Sequence, residues 1–463
     1  MILRASGNGR FFFRGAQCVR LQRCKIFAPR EFGFMKLSGP NVDFQTLRRN
    51  LTPRQLLARW MPLDDDVPSR NIRRVLIDGI GVGISSAASP YLPVFLTRLG
   101  ADNFAVGLLT SMPALAGLIF AIPLGQFLAR REYIVPWYSR ARFLVQLCYT
   151  LTGLVPFFVT DQTVLMILLI WALATIPQTI VNVGFTVVMA GVAGPQGSFY
   201  LMSRRWSSLG ITSAIVVAFA GLVLDRIVFP LNFQIVFVTL SMGGLLSLAF
   251  SRKIELPPQK PPPPAPTTSF LARTKAWNQE MRAHPKFVKT ISSQFIYRFG
   301  LVFAIPLFPL YYVRVLNASD QAIGFIAMVN GAVLLGAYFL WARVTKKRGV
   351  RFALLTTTLT IAFYPIVLAF TQDVFFVTLL AGIAGTFAAG IDLVLFDMVV
   401  SSYPHDRAAT FVGIQQMTVY VATFVAPLVA TTLATTIGIP QALIIAGIIR
   451  LIGFVMFVMF GRD

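Results

Sequence analysis

The chain has 463 residues, 56% of them hydrophobic and only 13% charged, with a mean hydropathy of +0.70; a soluble protein carries about twice that charged share. Apolar runs long enough to cross ~30 Å of hydrocarbon as helices recur without the alternation of a membrane barrel, so the class is an all-α polytopic membrane protein. Cys18, Cys24 and Cys148 form no CxxC pair and only His284 and His405 are available, which argues against a disulfide framework, a metal site, a cofactor or histidine-based catalysis.

In chain order, residues 1–34 carry seven Arg and Lys against one acid, Glu31, and lack the apolar core of a signal peptide. They read as a basic, disordered extension, with Met35 in "FGFMKLSGP" as an alternative start. Residues 35–74 form an N-terminal segment in which Pro53 suits the first turn of a short helix. There Leu56, Leu57, Trp60 and Met61 oppose Arg54 and Arg59, a pattern for lying on a membrane surface. Twelve spans follow, at 75–97, 104–128, 134–158, 163–189, 206–227, 229–250, 288–313, 320–342, 351–371, 374–400, 409–435 and 438–460. They group as two six-helix bundles, 75–250 and 288–460. Residues 1–74 hold 15 Lys and Arg and the connections on the same side hold 20, whereas the opposite side shows only Arg98, Arg226 and Arg314. The positive-inside rule then gives both termini as cytoplasmic in a plasma (inner) membrane. It also assigns the +23 net charge to a face against anionic lipid, with no nucleic acid partner.

The connection 251–287 contains "PPQKPPPPAP", an extended linker. After it Phe270, Trp277 and Met281 share a helical face opposed to Arg273, Lys275 and Arg282, either a second interfacial helix or a disordered loop. Beyond the linker the chain repeats itself. "PVFLTRLGADNFAVGLLTSMPALAG" (93–117) aligns with "PLYYVRVLNASDQAIGFIAMVNGAV" (309–333) through Pro93/Pro309, Arg98/Arg314 and Gly107/Gly324 with one residue inserted. Both copies run on to basic clusters, Arg130-Arg131 and Lys346-Lys347-Arg348.

Twelve spans in two related halves, a long central loop and basic connections after spans two and eight resemble the major facilitator superfamily over roughly 75–460. The loop signature G-x-x-x-D-R-x-G-R/K survives in worn form. In "GQFLARRE" Gly125 and Arg130 match while Ala129 and Glu132 depart from it; in "ARVTKKRGVR" Gly349 and Arg351 match while Ala342 and Lys346 depart. Neither a span-four arginine nor the Gly-Pro antiporter motif of span five is found, so proton-driven drug efflux has no motif support. The resemblance implies that spans one, four, seven and ten line a central path.

Ionisable groups inside a membrane are costly and mark function by default. Thr290, Gln294 and Arg298 step by four on span seven, and Asp392 on span ten lies within ~3 Å of the same depth at 1.5 Å per residue. These residues either pair as a buried ion bridge that eases insertion, or Arg298 recognises an anionic group and Asp392 takes up a proton. Asp78, one turn inside span one, either bridges to Arg73 or Arg74 or serves a gate or proton role. Gln178 and Asn182 on span four, flanked by Thr175 and Thr186, suit a hydrogen-bonding ligand. Asn330, Gln415, Gln416 and Arg450 are secondary candidates, and Arg450 competes with Arg298 for Asp392. Asp397 is assigned a structural pairing with Arg407 or Arg343. Gly79, Gly81, Gly83, Gly382, Gly385 and Gly390 are read as close-approach positions, and Pro90, Pro93, Pro306 and Pro309 as matched bends.

With no GxxxxGK[ST] motif, the expectation is a secondary or facilitative transporter of a small polar or anionic organic solute. Co-transported H+ or Na+ and a monomeric state go with it. The alternative is a transport-inactive scaffold, sensor or lipid/pigment carrier of the same fold.

Overall fold

The computed structural model describes residues 62, 65–159, 161–258, 281–400, 402 and 408–460. The extension 1–34, the interfacial helix expected near 52–61 and most of the one expected after 270 lie outside the described residues. Twelve helical stretches among the described residues are long and apolar enough to cross a membrane. In order they are Val67–Arg98, Asn103–Ala129, Val135–Phe158, Thr163–Ala193, Arg204–Arg226, Leu231–Ser251, Pro285–Arg314, Asp320–Arg348, Val350–Ala369, Val374–Val399, Phe411–Ile437 and Ile439–Phe460, called spans one to twelve below.

Two boundaries differ from the sequence expectation. Span one begins at Val67 rather than 75, because Asp66 is extended at the N-cap and a proline occupies the first turn, where its missing N–H costs nothing and its fixed φ suits a helix. Spans four and five belong to one helical run, Thr163–Arg226, rather than two helices with a break. The matched proline bends are present. Span one stops at Ser86 and resumes at Tyr91 behind Pro90; span seven stops at Ala304 and resumes at Leu307 behind Pro306.

Spans one to six pack on each other: one on five and six, four on two and three, three on six. Spans seven to twelve repeat the scheme: seven on eleven and twelve, ten on eight and nine, nine on twelve. Close helix approach carries much of this. A Cβ on Gly81 would lie 2.6 Å from the Ser247 nitrogen and 2.7 Å from the Gly243 oxygen, so only glycine lets the backbones of spans one and six touch. A pair of side-chain and backbone bonds closes the ring: Asn71 donates from Nδ2 to the Glu255 carbonyl at 2.7 Å, and the Glu255 N–H returns to Asn71 Oδ1 at 3.0 Å.

The two sets of six meet along two seams, span two against eleven and span five against eight. Gly107 faces Thr431, Gly117 faces Tyr420, Gly221 faces the Asp320–Gln321 backbone and Gly210 faces Leu335. These close contacts run from the end that carries Arg98 and Arg314 to about midway along the helices.

At that end the internal repeat becomes a reciprocal clamp. Asp102 caps span two by accepting from the Ala105 N–H, and Ser319 caps span eight by accepting from the Ala322 N–H. Arg98, at the end of span one, crosses to the start of span eight, donating to Asp320 Oδ1 at 3.0 Å and to the Ala318 carbonyl at 2.9 Å. Arg314, at the end of span seven, crosses the other way to Asn103 Oδ1 and the Ala101 carbonyl. Each arginine thus grips the counterpart of what the other grips, one arm ionic and one neutral.

Opening of this end is expected to follow loss of the clamp. With Cys18, Cys24 and Cys148 replaced by serine, a Thr431→Cys reporter, fully buried against Gly107, should be labelled by a maleimide about tenfold faster when Arg98 and Arg314 are both alanine, the effect of ~1.4 kcal/mol on an opening equilibrium. Unchanged labelling would mean that the seams alone hold the closure.

Candidate functional site

The glycine spacing of span one does more than permit contact. With Gly79 and Gly83 against span five and Gly81 against span six, the residue just before them, Asp78, is enclosed completely (0% exposed). Its Oδ1 takes Arg142 of span three and, at 2.7 Å, the Ser247 hydroxyl of span six; its Oδ2 takes Arg205 of span five at 3.1 Å. Arg142 also donates to the Tyr138 hydroxyl at 2.9 Å, and Arg205 lies 4.6 Å over the Phe185 ring of span four. The pairing of Asp78 with Arg73 or Arg74 is therefore corrected. Those arginines sit at the polar end of the helix, where Asp65 and Glu255 take them at 3.0 and 2.9 Å, while Asp78 lies deeper and meets guanidiniums from neighbouring helices first. Both of its oxygens are occupied, and it joins four helices.

Arg450 is the second buried charge (2% exposed). It reaches no carboxylate. Its Nε donates to the Gly300 carbonyl at 3.0 Å, its Nη1 to Ile361 at 2.9 Å and its Nη2 to Leu301 at 3.4 Å. The expected competition for Asp392 does not occur, because Gly300 has no side chain to hold the guanidinium away from these carbonyls: a Cβ there would lie 2.8 Å from Arg450 Cγ.

Arg298 differs from both. Among the described residues it makes no hydrogen bond and no ion pair, and its Nε is buried without a partner. It lines a narrow cleft with Gln294 of its own helix and Gln415 and Thr418 of span eleven. The expected bridge to Asp392 is not formed. The two charges sense each other across a gap, but Asp392 Oδ2 is taken by the Tyr338 hydroxyl of span eight at 2.9 Å, and Arg298 is held on the span-eleven side. Gln294 spends its Nε2 on the Leu395 carbonyl of span ten at 2.8 Å and leaves its Oε1 buried and unpartnered.

The other candidates divide. Gln178 donates to Asn182 Oδ1 at 3.0 Å, and Thr175 and Thr186 bond back to carbonyls of their own helix, so among the described residues this face of span four makes no hydrogen bond to another helix. Asn330 is tied to the Ala381 carbonyl of span ten at 2.9 Å, a helix-to-helix bond that takes up its donor. Gln415 joins the Arg298 cleft; Gln416, one residue on, is exposed and outside it. Asp397 is exposed and makes no ion pair with Arg343; Arg407 lies outside the described residues. A cleft of about 760 Å³ lies elsewhere, between spans eight and ten, and its wall is mostly apolar, with Phe325, Val329, Phe375 and Leu379.

Sequence reasoning missed Arg142, Arg205 and Tyr338. The first two were counted as loop charges. A usable signal was present: Tyr138 and Arg142 share a helical face four residues apart, and Asp78 precedes three glycines at alternate positions.

Residues 290–463 match the Major Facilitator Superfamily. No curated protein sequence matches the chain. Among solved structures, a bacterial homologue of the human lysosomal transporter Spinster, inward-facing and unoccupied, is similar with a TM-score of 0.65 at 14% identity, covering 86% of this chain and 98% of its own. A variant of the nucleoside transporter NupG gives 0.68 at 11%, covering 85% and 100%. A POT family transporter in complex with a thioalcohol-conjugated peptide gives 0.66 at 12%, covering 85% and 96%. Likeness at such identities concerns the fold.

Replacing Asp78 by asparagine leaves two guanidiniums buried without a counter-charge. Removing one partner of a buried pair costs about 3–5 kcal/mol, against about 1 kcal/mol for the single hydrogen bond lost in Ser247→Ala. Detergent-solubilised Asp78→Asn should therefore melt well below Ser247→Ala in a thermal aggregation assay. Equal melting would remove the cluster from its structural role.

Proposed function

From the premise that the chain is a Major Facilitator Superfamily membrane protein, by its fold and by the sequence of its last six spans, we propose that it is a secondary or facilitative transporter. Two six-helix bodies, joined by a cytoplasmic linker and with both termini cytoplasmic, rock about a site near mid-depth and carry a small polar or anionic organic solute. Arg298 recognises the solute's anionic group, with Gln294 and Gln415 beside it. Gln178 and Asn182 offer hydrogen bonds from the other body, and Asp392 stands by as a second charge or as the acceptor of a coupling H+ or Na+. In this reading the end held by the seams and the arginine clamp is the extracellular one.

One observation carries the reading. In the same set of helices Arg450 has a carbonyl for each of its three nitrogens, whereas Arg298 makes no hydrogen bond among the described residues. A buried polar group without a partner costs about 1–3 kcal/mol, more when charged. An arginine Nε kept buried at that cost beside a second open acceptor, Gln294 Oε1, is explained by a ligand that completes the site. Alternating access about a mid-membrane site between repeats supplies the mechanism.

A second reading, a protein of transporter fold that holds a lipid without moving a solute, draws on the 760 Å³ apolar cleft between spans eight and ten. It leaves Arg298 unexplained.

Thermal stability against a panel of organic anions, amino acids, sugars and lipophilic cations separates these readings, because a ligand bound only by the folded state must raise the apparent Tm. Arg298→Gln should leave the ligand-free protein as stable as the wild type or more so, by up to about 1–3 kcal/mol, and should abolish both the ligand-induced rise and uptake into proteoliposomes. A variant that is destabilised yet keeps its ligand response would end the proposed role.

A further inference from the structure

We propose that the solute carries two charges, a carboxylate or similar anion for Arg298 and an ammonium for Asp392, joined by a short flexible spacer. The inference rests on the reading that Arg298 lines the transport site, and it narrows the substrate from polar or anionic solutes to amino-carboxylate zwitterions.

The bond from Gln294 Nε2 to the Leu395 carbonyl ties spans seven and ten at one level. The two spans run in opposite directions, so Arg298, four residues after Gln294, and Asp392, three residues before Leu395, both lie about one turn beyond the tie, ~4.5–6 Å along the axes. They stand at matching depth on facing helices. Opposite charges so placed would ordinarily close into an ion pair. Here each is held by its own surroundings: Asp392 by the Tyr338 hydroxyl on Oδ2, Arg298 in the cleft with Gln415 and Thr418. Each also keeps an open site. Asp392 Oδ1 accepts no hydrogen bond among the described residues, and the Arg298 guanidinium donates none.

A ligand with a carboxylate alone would answer Arg298 and set a second negative charge near Asp392. An amine alone would answer Asp392 and face Arg298. Either leaves one group uncompensated at reduced dielectric, where the penalty is large. A zwitterion answers both, and its ammonium can also donate to the open Gln294 Oε1. The Tyr338 hydroxyl donates to Asp392 Oδ2 and leaves Oδ1 free to accept from the ammonium.

A matched series of probes tests this. It comprises β-alanine, γ-aminobutyrate and ε-aminocaproate, the monocarboxylates of the same chain lengths, and the corresponding primary amines, each measured by thermal shift on the purified full chain. The expectation is that only the amino acids stabilise the wild type, with one spacer length preferred. Arg298→Gln and Asp392→Asn should each weaken the preferred probe by at least about tenfold, and Asp392→Asn should gain a response to the monocarboxylate, which a purely structural Asp392 would not produce. Monocarboxylates that stabilise the wild type as well as the amino acids do, lost in Arg298→Gln and unchanged in Asp392→Asn, overturn the zwitterion and leave the Arg298 site standing. A wild type that ignores the whole series but is stabilised by sugars or lipophilic cations equally with and without Arg298 overturns both.

Discussion

Hydrocarbon offers no hydrogen bonds, so a charge placed in a membrane span must find its partners in the protein or be kept for something that arrives. The internal architecture follows from how that constraint is met at three arginine sites. In the first six spans Asp78 gathers Arg142, Arg205 and Ser247 and joins spans one, three, five and six around one carboxylate. In the last six, Arg450 binds three main-chain carbonyls and needs no acid. Among the described residues Arg298 is met by neither device, and its proposed role in recognition rests on this difference.

The glycines make both devices available. Gly81 brings span six within backbone contact of span one, which places Ser247 over Asp78; Gly300 opens the gap through which Arg450 reaches the carbonyls of spans seven and nine. The same short side chain thus solves a packing problem in one place and an electrostatic one in another. Deep charges are tolerated where the backbone comes close enough to meet them.

The internal repeat is used twice over. At one end it yields the reciprocal grip of Arg98 and Arg314 on the starts of spans eight and two, with matched caps at Asp102 and Ser319. At mid-depth the halves differ: Arg298 and Asp392 both belong to the last six spans, whereas span four carries the neutral amides of Gln178 and Asn182. The two halves thus keep their mechanical contacts alike while differing in the polar groups their spans carry.

Twelve spans, their approximate limits, the proline bends and the repeat were legible in the residues alone, because span length and hydropathy report directly on the ~30 Å of hydrocarbon to be crossed. So were Arg298 and Arg450, since an arginine in an apolar run is visible without any fold. The partners were not. Arg142 and Arg205 read as loop charges at helix ends, and only the packing of spans three and five on span one turns them inward onto Asp78. Tyr338 is one of 12 tyrosines in the chain, and nothing in its sequence neighbourhood distinguishes it as the donor that holds Asp392 apart from Arg298. Sequence by itself determined which groups would be expensive to bury. Tertiary structure alone decided which of them are compensated, because compensation depends on side chains that approach from other helices, 54 to 169 residues away along the chain.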